Sequence, residues 1–379
     1  MILLKECEHV EENSKCRLMP IKSLKNNRGI ALLVTLSVAT VMVVASLEMN
    51  KKVRSAVFSA AAVRDRITLF HMASSGVNIA EAMLIKDRYD SDTDSLQEDW
   101  ANNEKRKEII GEIPFENGSV SVSISDELGK IQINSLVQYP GGLQFNESQR
   151  AMWERFLNLL KLQDDTQNDV FKDLEPMTII DSVKDWIDSG DDDAITGLNG
   201  AESEYYQDLD PPYPAKNGPF TNINELALVR GVTPELFQGS GGEQGLSRYI
   251  TVFGIIKSGD NSFTYDGKIN INTADLPTLA AIMPVGSEDF AQVLFDYRNE
   301  TSDSGYIHVL TNPKWYKNVP GMADITIDPN LITVSSDIYR IESTATLMKM
   351  KMKITAVIRR EKSDNTGKWI CSVLRWDVE

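Results

Sequence analysis

The sequence predicts an α+β fold in which a long N-terminal helix packs on an antiparallel sheet and a large, mostly helical domain is inserted into that sheet. Three observations lead to this prediction: an uncharged apolar run near the N-terminus, apolar–polar alternation near both ends of the soluble part, and helix-period patterns between them. The length of 379 residues is enough for two or three domains. Since 55 Asp and Glu oppose 39 Lys and Arg, the surface repels nucleic acid.

The apolar run extends from Ile30 to Leu47 and follows three basic residues within 22–28. At a rise of 1.5 Å per residue it is about 27 Å long, close to the roughly 30 Å hydrocarbon thickness of a bilayer. Three interpretations fit: a secretory signal cut before Ser46, a plain transmembrane anchor, or a prepilin-type leader cut after Gly29. The glycine favours the leader, because backbone without a side chain can enter a peptidase site.

With this leader the chain resembles a type IV pilin or a pseudopilin of type II secretion. The resemblance implies a leader over 1–29, removed by prepilin peptidase between Gly29 and Ile30, and methylation of the new terminus. It also implies a single pass through the inner membrane at about 30–47, with the bulk of the chain in the periplasm. The fifth mature residue is then Val34, where most pilins carry Glu.

Helix-period apolar residues continue beyond the run, at Val53, Val57, Ile67 and Phe70. We therefore expect one helix over 30–87, its first half in lipid and its second half on a soluble domain. The alternative is an anchor followed by a separate helix, with the break at residues 74–76.

Alternating serines and apolar residues predict a strand over 119–125, with a turn at 126–130 and a second strand through Ile131 and Ile133 in a meander. Alternation returns near the C-terminus, where further strands are expected. We expect the two strand-rich ends to form one discontinuous sheet domain, 88–134 and 337–379, with residues 135–336 as the insertion. Five helices are predicted within it: Ala151–Leu162, Ile179–Ile187, Ile223–Val229, Leu276–Met283 and Phe290–Arg298.

Three methionines, Met348, Met350 and Met352, alternate with lysines near the C-terminus. Thioethers on one strand face are ligands for cuprous ion, but packing against the long helix explains the pattern equally well. The core interpretation is preferred. The last strand is expected over Trp369–Trp376, and Cys371 is the sole cysteine after the leader, so an internal disulfide is excluded in the mature chain.

Residues 181–210 carry ten carboxylates against Lys184 alone. Calcium neutralises such clusters with six to eight oxygen ligands, although the spacing is not that of an EF-hand. A solvated acidic loop explains the composition as well, and a hydrolytic carboxylate pair has no residue to single it out.

Several motifs, in this order, resemble signatures of the K-type minor pseudopilins of type II secretion: Asp126-Glu127-Leu128-Gly129-Lys130 with Asn134; Asp185-Trp186-Ile187-Asp188; Gly200-Ala201-Glu202 with Tyr205; Pro211-Pro212-Tyr213 with Asn217, Pro219 and Glu225-Leu226; and Asn270-Ile271-Asn272-Thr273-Ala274.

This resemblance implies a pilin-like domain with a calcium-binding helical insertion, and the absence of Glu at the position of Val34. It assigns Asp188 and Glu202 as the preferred metal ligands, and Asp185, Asp191 and Asp193 as further candidates. One or two calcium ions are expected. The implied function is to cap the tip of the secretion pseudopilus and help start its assembly, with other minor pseudopilins as partners.

No common catalytic motif is present, so we expect no enzymatic activity and no small-molecule substrate. The segment from Asn270 also resembles helix-hairpin-helix modules that bind DNA, but its neighbours are acidic, so no nucleic acid is expected. The alternatives are a signal-anchored periplasmic calcium-binding protein without a filament role and an undetected hydrolase.

Overall fold

The computed structural model describes residues 27–112, 115, 118–162, 171–190, 195–240, 244–257, 262–303 and 305–379. Residues 1–26 of the predicted leader lie outside these ranges. The chain divides into two compact units, Met1–Arg64 and Asp65–Glu379. The predicted partition of the soluble part into a sheet domain and an insertion remains a prediction, since both fall within the second unit.

The described residues form α-helices that differ widely in length: α1 Asn27–Asp90, α2 Asn103–Gly111, α3 Glu147–Leu162, α4 Pro176–Ile187, α5 Ser203–Gln207, α6 Pro234–Gln238, α7 Leu276–Ile282 and α8 Phe290–Asn299. Short 3₁₀ helices cover Ile133–Leu136, Ile223–Leu228, Leu246–Arg248 and Trp315–Asn318.

The strands are mostly short, except for the first and the last three: β1 Gly118–Asp126, β2 Ile131–Gln132, β3 Ile250–Thr251, β4 Ile255–Lys257, β5 Phe263–Tyr265, β6 Ile269–Asn270, β7 Thr301–Ser302, β8 Gly305–Tyr306, β9 Ile332–Thr333, β10 Ile338–Leu347, β11 Met350–Lys362 and β12 Trp369–Val378. The predicted α+β class is confirmed.

The helix α1 begins at Asn27, three residues before the predicted mature terminus, and continues for 64 residues. Among the described residues it is the helix that is long and apolar enough to cross a membrane, and its most apolar stretch has no buried side chain. The alternative of a break at residues 74–76 is wrong, because α1 continues through them. The described part of the chain thus includes one segment suited to a single-pass anchor, followed by a globular remainder.

Gly76 serves close packing rather than a helix end. A β-carbon at this position would lie 2.2 Å from Ser343 Oγ and 2.9 Å from side-chain carbons of Val120 and Val122. Because real β-carbons do not approach other atoms so closely, only glycine lets α1 lie this near to the sheet. Apolar residues on the same part of α1, including Leu84 and Val77, are fully buried in this contact.

The main sheet has the strand order β1-β10-β11-β12, with every pair antiparallel. The expected meander after β1 is wrong, because β1 pairs with β10 from more than two hundred residues later. The segment through Ile131 instead forms β2, which pairs in parallel with β3 and then enters a 3₁₀ helix. Both ends of the chain therefore build one sheet around the intervening segment.

The methionine stripe is divided by a turn. Met348 has a positive φ of 54° between β10 and β11 and is 77% exposed. Its expected place in the core is therefore wrong, because the reversal of the chain takes it off the strand. Met352 is buried against α1, and Met350 packs at the edge of the same cluster.

The segment between β1 and β10 has its own large apolar core, which includes Trp153, Phe156 and Trp315. Helices α3, α4, α7 and α8 fall where apolar periodicity places them, with ends within four residues of the predicted bounds. The fifth predicted helix, over Ile223–Val229, is a 3₁₀ helix instead. Asn222 and Glu225 form a capping box at its first turn.

Candidate metal centre

Three carboxylates of the acidic segment meet at the C-terminal end of α4. Asp185 lies in the last turn of the helix, Asp188 directly follows it, and Glu202 immediately precedes α5. Each offers an oxygen within 4.8 Å of the others, and all three residues are buried. Asp188 is the C-cap residue with an extended backbone, φ −67° and ψ 159°, so it lies just beyond the helix rather than on its face.

Helix α4 is held in place by its apolar face. Pro176 begins it, where a missing N–H costs nothing. Ile179 and Val183 are fully buried, and Trp186 packs edge-on to Tyr206, 5.2 Å between ring centroids. This anchoring fixes the acidic end of the helix against the loop that brings Glu202.

The hydrogen bonds leave part of the negative charge without a partner. Lys184 Nζ donates to Asp188 Oδ2 at 2.8 Å and to Thr196 Oγ1 at 2.9 Å, and the backbone N–H of Thr196 lies 3.1 Å from both oxygens of Asp185. Asp188 Oδ1 is buried without a hydrogen-bond partner among the described residues. Burial, the largest effect, raises the pKa of Asp185 above its usual value.

Gly200 lets the loop approach Asp185. A β-carbon there would lie 2.1 Å from Asp185 Oδ2, 2.7 Å from Thr196 O and 2.8 Å from Thr196 N. A side chain at this position would therefore displace the carboxylate or the backbone that holds it. The Gly200 carbonyl also accepts a hydrogen bond of 3.0 Å from Arg230 Nη1, which pins the loop.

The structure thus brings together Asp185, Asp188 and Glu202 of the five predicted ligands. Asp191 and Asp193 lie outside the described residues. Sequence reasoning did not assign the roles of Thr196 and Gly200, which act through backbone atoms and close contact rather than through a ligand type.

Calcium suits the donors that are present. Three carboxylates and Lys184 meet in this buried place, and carboxylate oxygens are the ligands that calcium prefers. The unpartnered Asp188 Oδ1 is an available acceptor. Calcium binding itself remains a prediction.

A second acidic group, Asp87, Asp94 and Glu98, was missed from the sequence. Arg360 lies among these carboxylates: its Nη1 is 3.0 Å from Asp87 Oδ2, and its Nη2 pairs with Asp94. Burial first, and neighbouring carboxylates second, raise the pKa of Asp87 to about 6 and of Glu98 to about 8. Because Arg360 already supplies a counter-charge, we interpret this group as an ion cluster that links α1 to β11.

The predicted processing residues lie near the start of α1. A β-carbon at Gly29 would meet nothing within 4 Å, and Ile30 and Val34 are 61% and 56% exposed. No described acidic side chain lies on α1 before Glu48, so this stretch is free of the carboxylate that most pilins carry.

Comparison with known proteins gives a consistent family match. The family described as "Type II secretion system (T2SS), protein K" matches residues 129–253. The type II secretion system protein K of Aeromonas hydrophila is 27% identical over 219 residues, 57% of this chain and 62% of that protein. The protein of the same name from Klebsiella pneumoniae is 27% identical over 214 residues, covering 56% and 60%.

The Pseudomonas aeruginosa protein of that name is 23% identical over 270 residues, 69% of each chain. The matched part thus spans about three fifths of the Aeromonas and Klebsiella relatives. Among solved structures, the GspK-GspI-GspJ complex of the enterotoxigenic Escherichia coli type 2 secretion system contains a similar chain. Its TM-score is 0.59 at 18% identity, covering 85% of this chain and 99% of that chain, which is a likeness of fold.

Proposed function

We propose that this chain, which matches the type II secretion system protein K family over residues 129–253, is a minor pseudopilin that caps the tip of the pseudopilus and helps start its assembly. The role is structural, in line with the absence of a common catalytic motif. The proposed location is the inner membrane, crossed once by the N-terminal part of α1, with the remainder in the periplasm.

One observation carries the tip position: Val34 stands where most pilins carry Glu. In pilin-like fibres that glutamate is thought to pair with the N-terminal amine of a neighbouring subunit. A subunit with no neighbour above it has no amine to meet, and an unpaired carboxylate in an apolar helix is costly. Valine avoids this cost.

The proposed partners are other minor pseudopilins, related to the GspI and GspJ chains of the similar solved complex. Contact through the apolar, exposed first half of α1 would bring them together. The large segment between β1 and β10 would obstruct a further subunit from stacking above, which fits a terminal position.

Calcium is proposed to stabilise the loop between α4 and α5. Asp185, Asp188 and Glu202 would hold it, and the bound cation would add positive charge to that of Lys184. The mature chain has no disulfide to supply such a cross-link.

The test uses the full chain expressed with its secretion system. Intact mass of the purified membrane protein is expected to show an N-terminus at Ile30; a start at Ser46 would reject the leader. Val34→Glu is expected to reduce recovery of the tip complex and secretion, whereas Val34→Ala, the matched control, leaves both unchanged. If Val34→Glu assembles and secretes as well as Val34→Ala, the tip argument fails.

The alternative of a signal-anchored calcium-binding protein without a filament role gives a different result. In that case no pilin-like chain would co-purify from the native membrane, while chelation would still lower the melting temperature. A filament subunit keeps its partners when Asp188 is changed to Asn and loses them when charges are placed on the first half of α1.

A further inference from the structure

A cavity of about 250 Å³ opens in the second unit where the C-terminal end of α1 meets β11, β12 and several loops. Five cationic side chains line it, from Arg88, Lys130, Lys268, Arg359 and Arg360, against two carboxylates. In a chain with a net charge of −16, a lining in which cations outnumber carboxylates is a local exception. Such a lining favours an anion as the guest.

One guanidinium group at the cavity has a buried donor that is not used. Arg88 Nη1 has no hydrogen-bond partner among the described residues, whereas Arg359 Nε, also without a hydrogen bond, lies 3.4 Å from Asp337 Oδ2. Arg88 also stacks over the ring of Trp369, 5.1 Å from its centroid, which fixes the plane of the guanidinium. A buried donor without an acceptor is unfavourable, so Arg88 points to a missing acceptor.

The acids near these cations hold them loosely. Asp92 lies 3.5 Å from Arg88 Nη2 and its side chain is 95% exposed. Asp337 lies 3.4 Å from Arg359 Nε with its side chain 52% exposed. Exposed pairs at such distances are weak and are screened by salt. An anion bound in the cavity would therefore compete effectively with Asp92 and Asp337 for the two guanidinium groups.

Arg360 and Lys130 already pair with carboxylates that do not line the cavity. Arg360 pairs with Asp87 and Asp94, and Lys130 lies 2.9 Å from the buried Glu127. Their charge is therefore already balanced and is not offered to a guest. The donors that remain for a ligand are those of Arg88, the part of Arg359 other than Nη2, which donates to Ile255 O at 2.7 Å, and Lys268, whose partner Asp266 is 3.5 Å away.

We propose that this cavity binds an oxyanion, either a free small anion such as phosphate or the terminal carboxylate of a peptide. Guanidinium groups bind both by paired, charge-assisted hydrogen bonds. The apolar side chains that share the wall, from Leu128, Ile256 and Trp369, leave room for the last side chain of a peptide beside its carboxylate. The site is separate from the α4 carboxylates and does not depend on calcium or on the tip position.

The experiment is calorimetric titration of the full chain in detergent, at constant ionic strength set with sodium chloride. The probes are inorganic phosphate, an acetylated tripeptide ending in a free leucine carboxylate, and the same peptide as its amide. Saturable binding of phosphate would identify a free anion. Binding of the free-acid peptide, but neither the amide nor phosphate, would identify a peptide terminus.

Arg88→Gln is expected to weaken binding about tenfold or more, because it removes a charged donor. Arg88→Lys retains the charge, so it covers the case in which Arg88→Gln fails to fold. Lys353→Gln, on β11 but outside the cavity lining, is the matched control and is expected to bind as the unchanged protein does. No heat from any probe at about 10 mM, tenfold above a weak Kd of 1 mM, would overturn the proposal. So would full-strength binding by a folded Arg88→Gln protein.

Discussion

Replacing Gly200 with alanine tests the geometry of the candidate metal centre. The added β-carbon would lie 2.1 Å from Asp185 Oδ2 and within 2.8 Å of two backbone atoms of Thr196. Since the nearest backbone atoms cannot move away as a flexible side chain would, either the loop or the carboxylate must shift. Overpacking of this kind costs about 1–3 kcal/mol. For the unit Asp65–Glu379 the melting temperature is expected to fall by about 1.5–4.5 °C.

The stabilisation of the folded state by calcium should also decrease in Gly200→Ala. A ligand at 100 times its Kd stabilises the folded state by about 2.7 kcal/mol. If Asp185 is displaced, much of this calcium-dependent increment is lost in Gly200→Ala. The increment is measured by thermal unfolding in excess calcium and in excess chelator, followed by circular dichroism.

Gly218→Ala is the matched control, because its β-carbon would approach nothing nearer than Lys216 O at 3.9 Å. It is expected to melt within about 1 °C of the unchanged protein and to keep the full calcium increment. If Gly200→Ala behaves like Gly218→Ala in chelator, the close contact is wrong. If it melts lower but keeps the calcium increment, Asp185 is not a ligand.

Three further predictions follow from the same contacts. Lys184→Met removes the ammonium group that donates to Asp188 Oδ2. The calcium affinity measured by titration should therefore rise about tenfold, while the stability of the protein in chelator falls. An unchanged calcium affinity would contradict this prediction. Burial raises the pKa of Glu98 to about 8, so between pH 4.5 and 8 the folded state keeps a proton that the unfolded chain has lost, and stability falls as pH rises through that window. Glu98→Gln should flatten this dependence of the unfolding free energy on pH, measured by urea unfolding at pH 5, 6.5 and 8. Equal pH dependence in the two proteins would refute the prediction. Gly76→Ala should lower the free energy of unfolding in urea by about 1–3 kcal/mol. Gly111→Ala, whose β-carbon would meet nothing within 4 Å, should not lower it. Equal effects of the two substitutions would exclude close packing of α1 on the sheet.

Local patterns in the sequence predicted the elements whose causes are local. Apolar periodicity located α3, α4, α7 and α8. These predictions succeed because the side-chain period of a helix is fixed by its geometry.

Features that join distant segments were not predictable in this way. The partner of β1 lies more than two hundred residues away, and nothing in the local alternation distinguishes it from the nearer segment through Ile131. The cluster around Arg360 likewise draws Asp87 and Asp94 from the other end of the chain. Met348 followed the alternating pattern, but a chain reversal with positive φ removed it from the strand.

The central claim is the terminal position of this chain in the filament, and the most direct measurement is its location. Pseudopili assembled with a small electron-dense label on the C-terminus of this chain would be imaged by electron microscopy. A subunit without a neighbour above Val34 predicts label at one end of each filament. Label repeated along the shaft would show copies stacked on one another and would contradict the account.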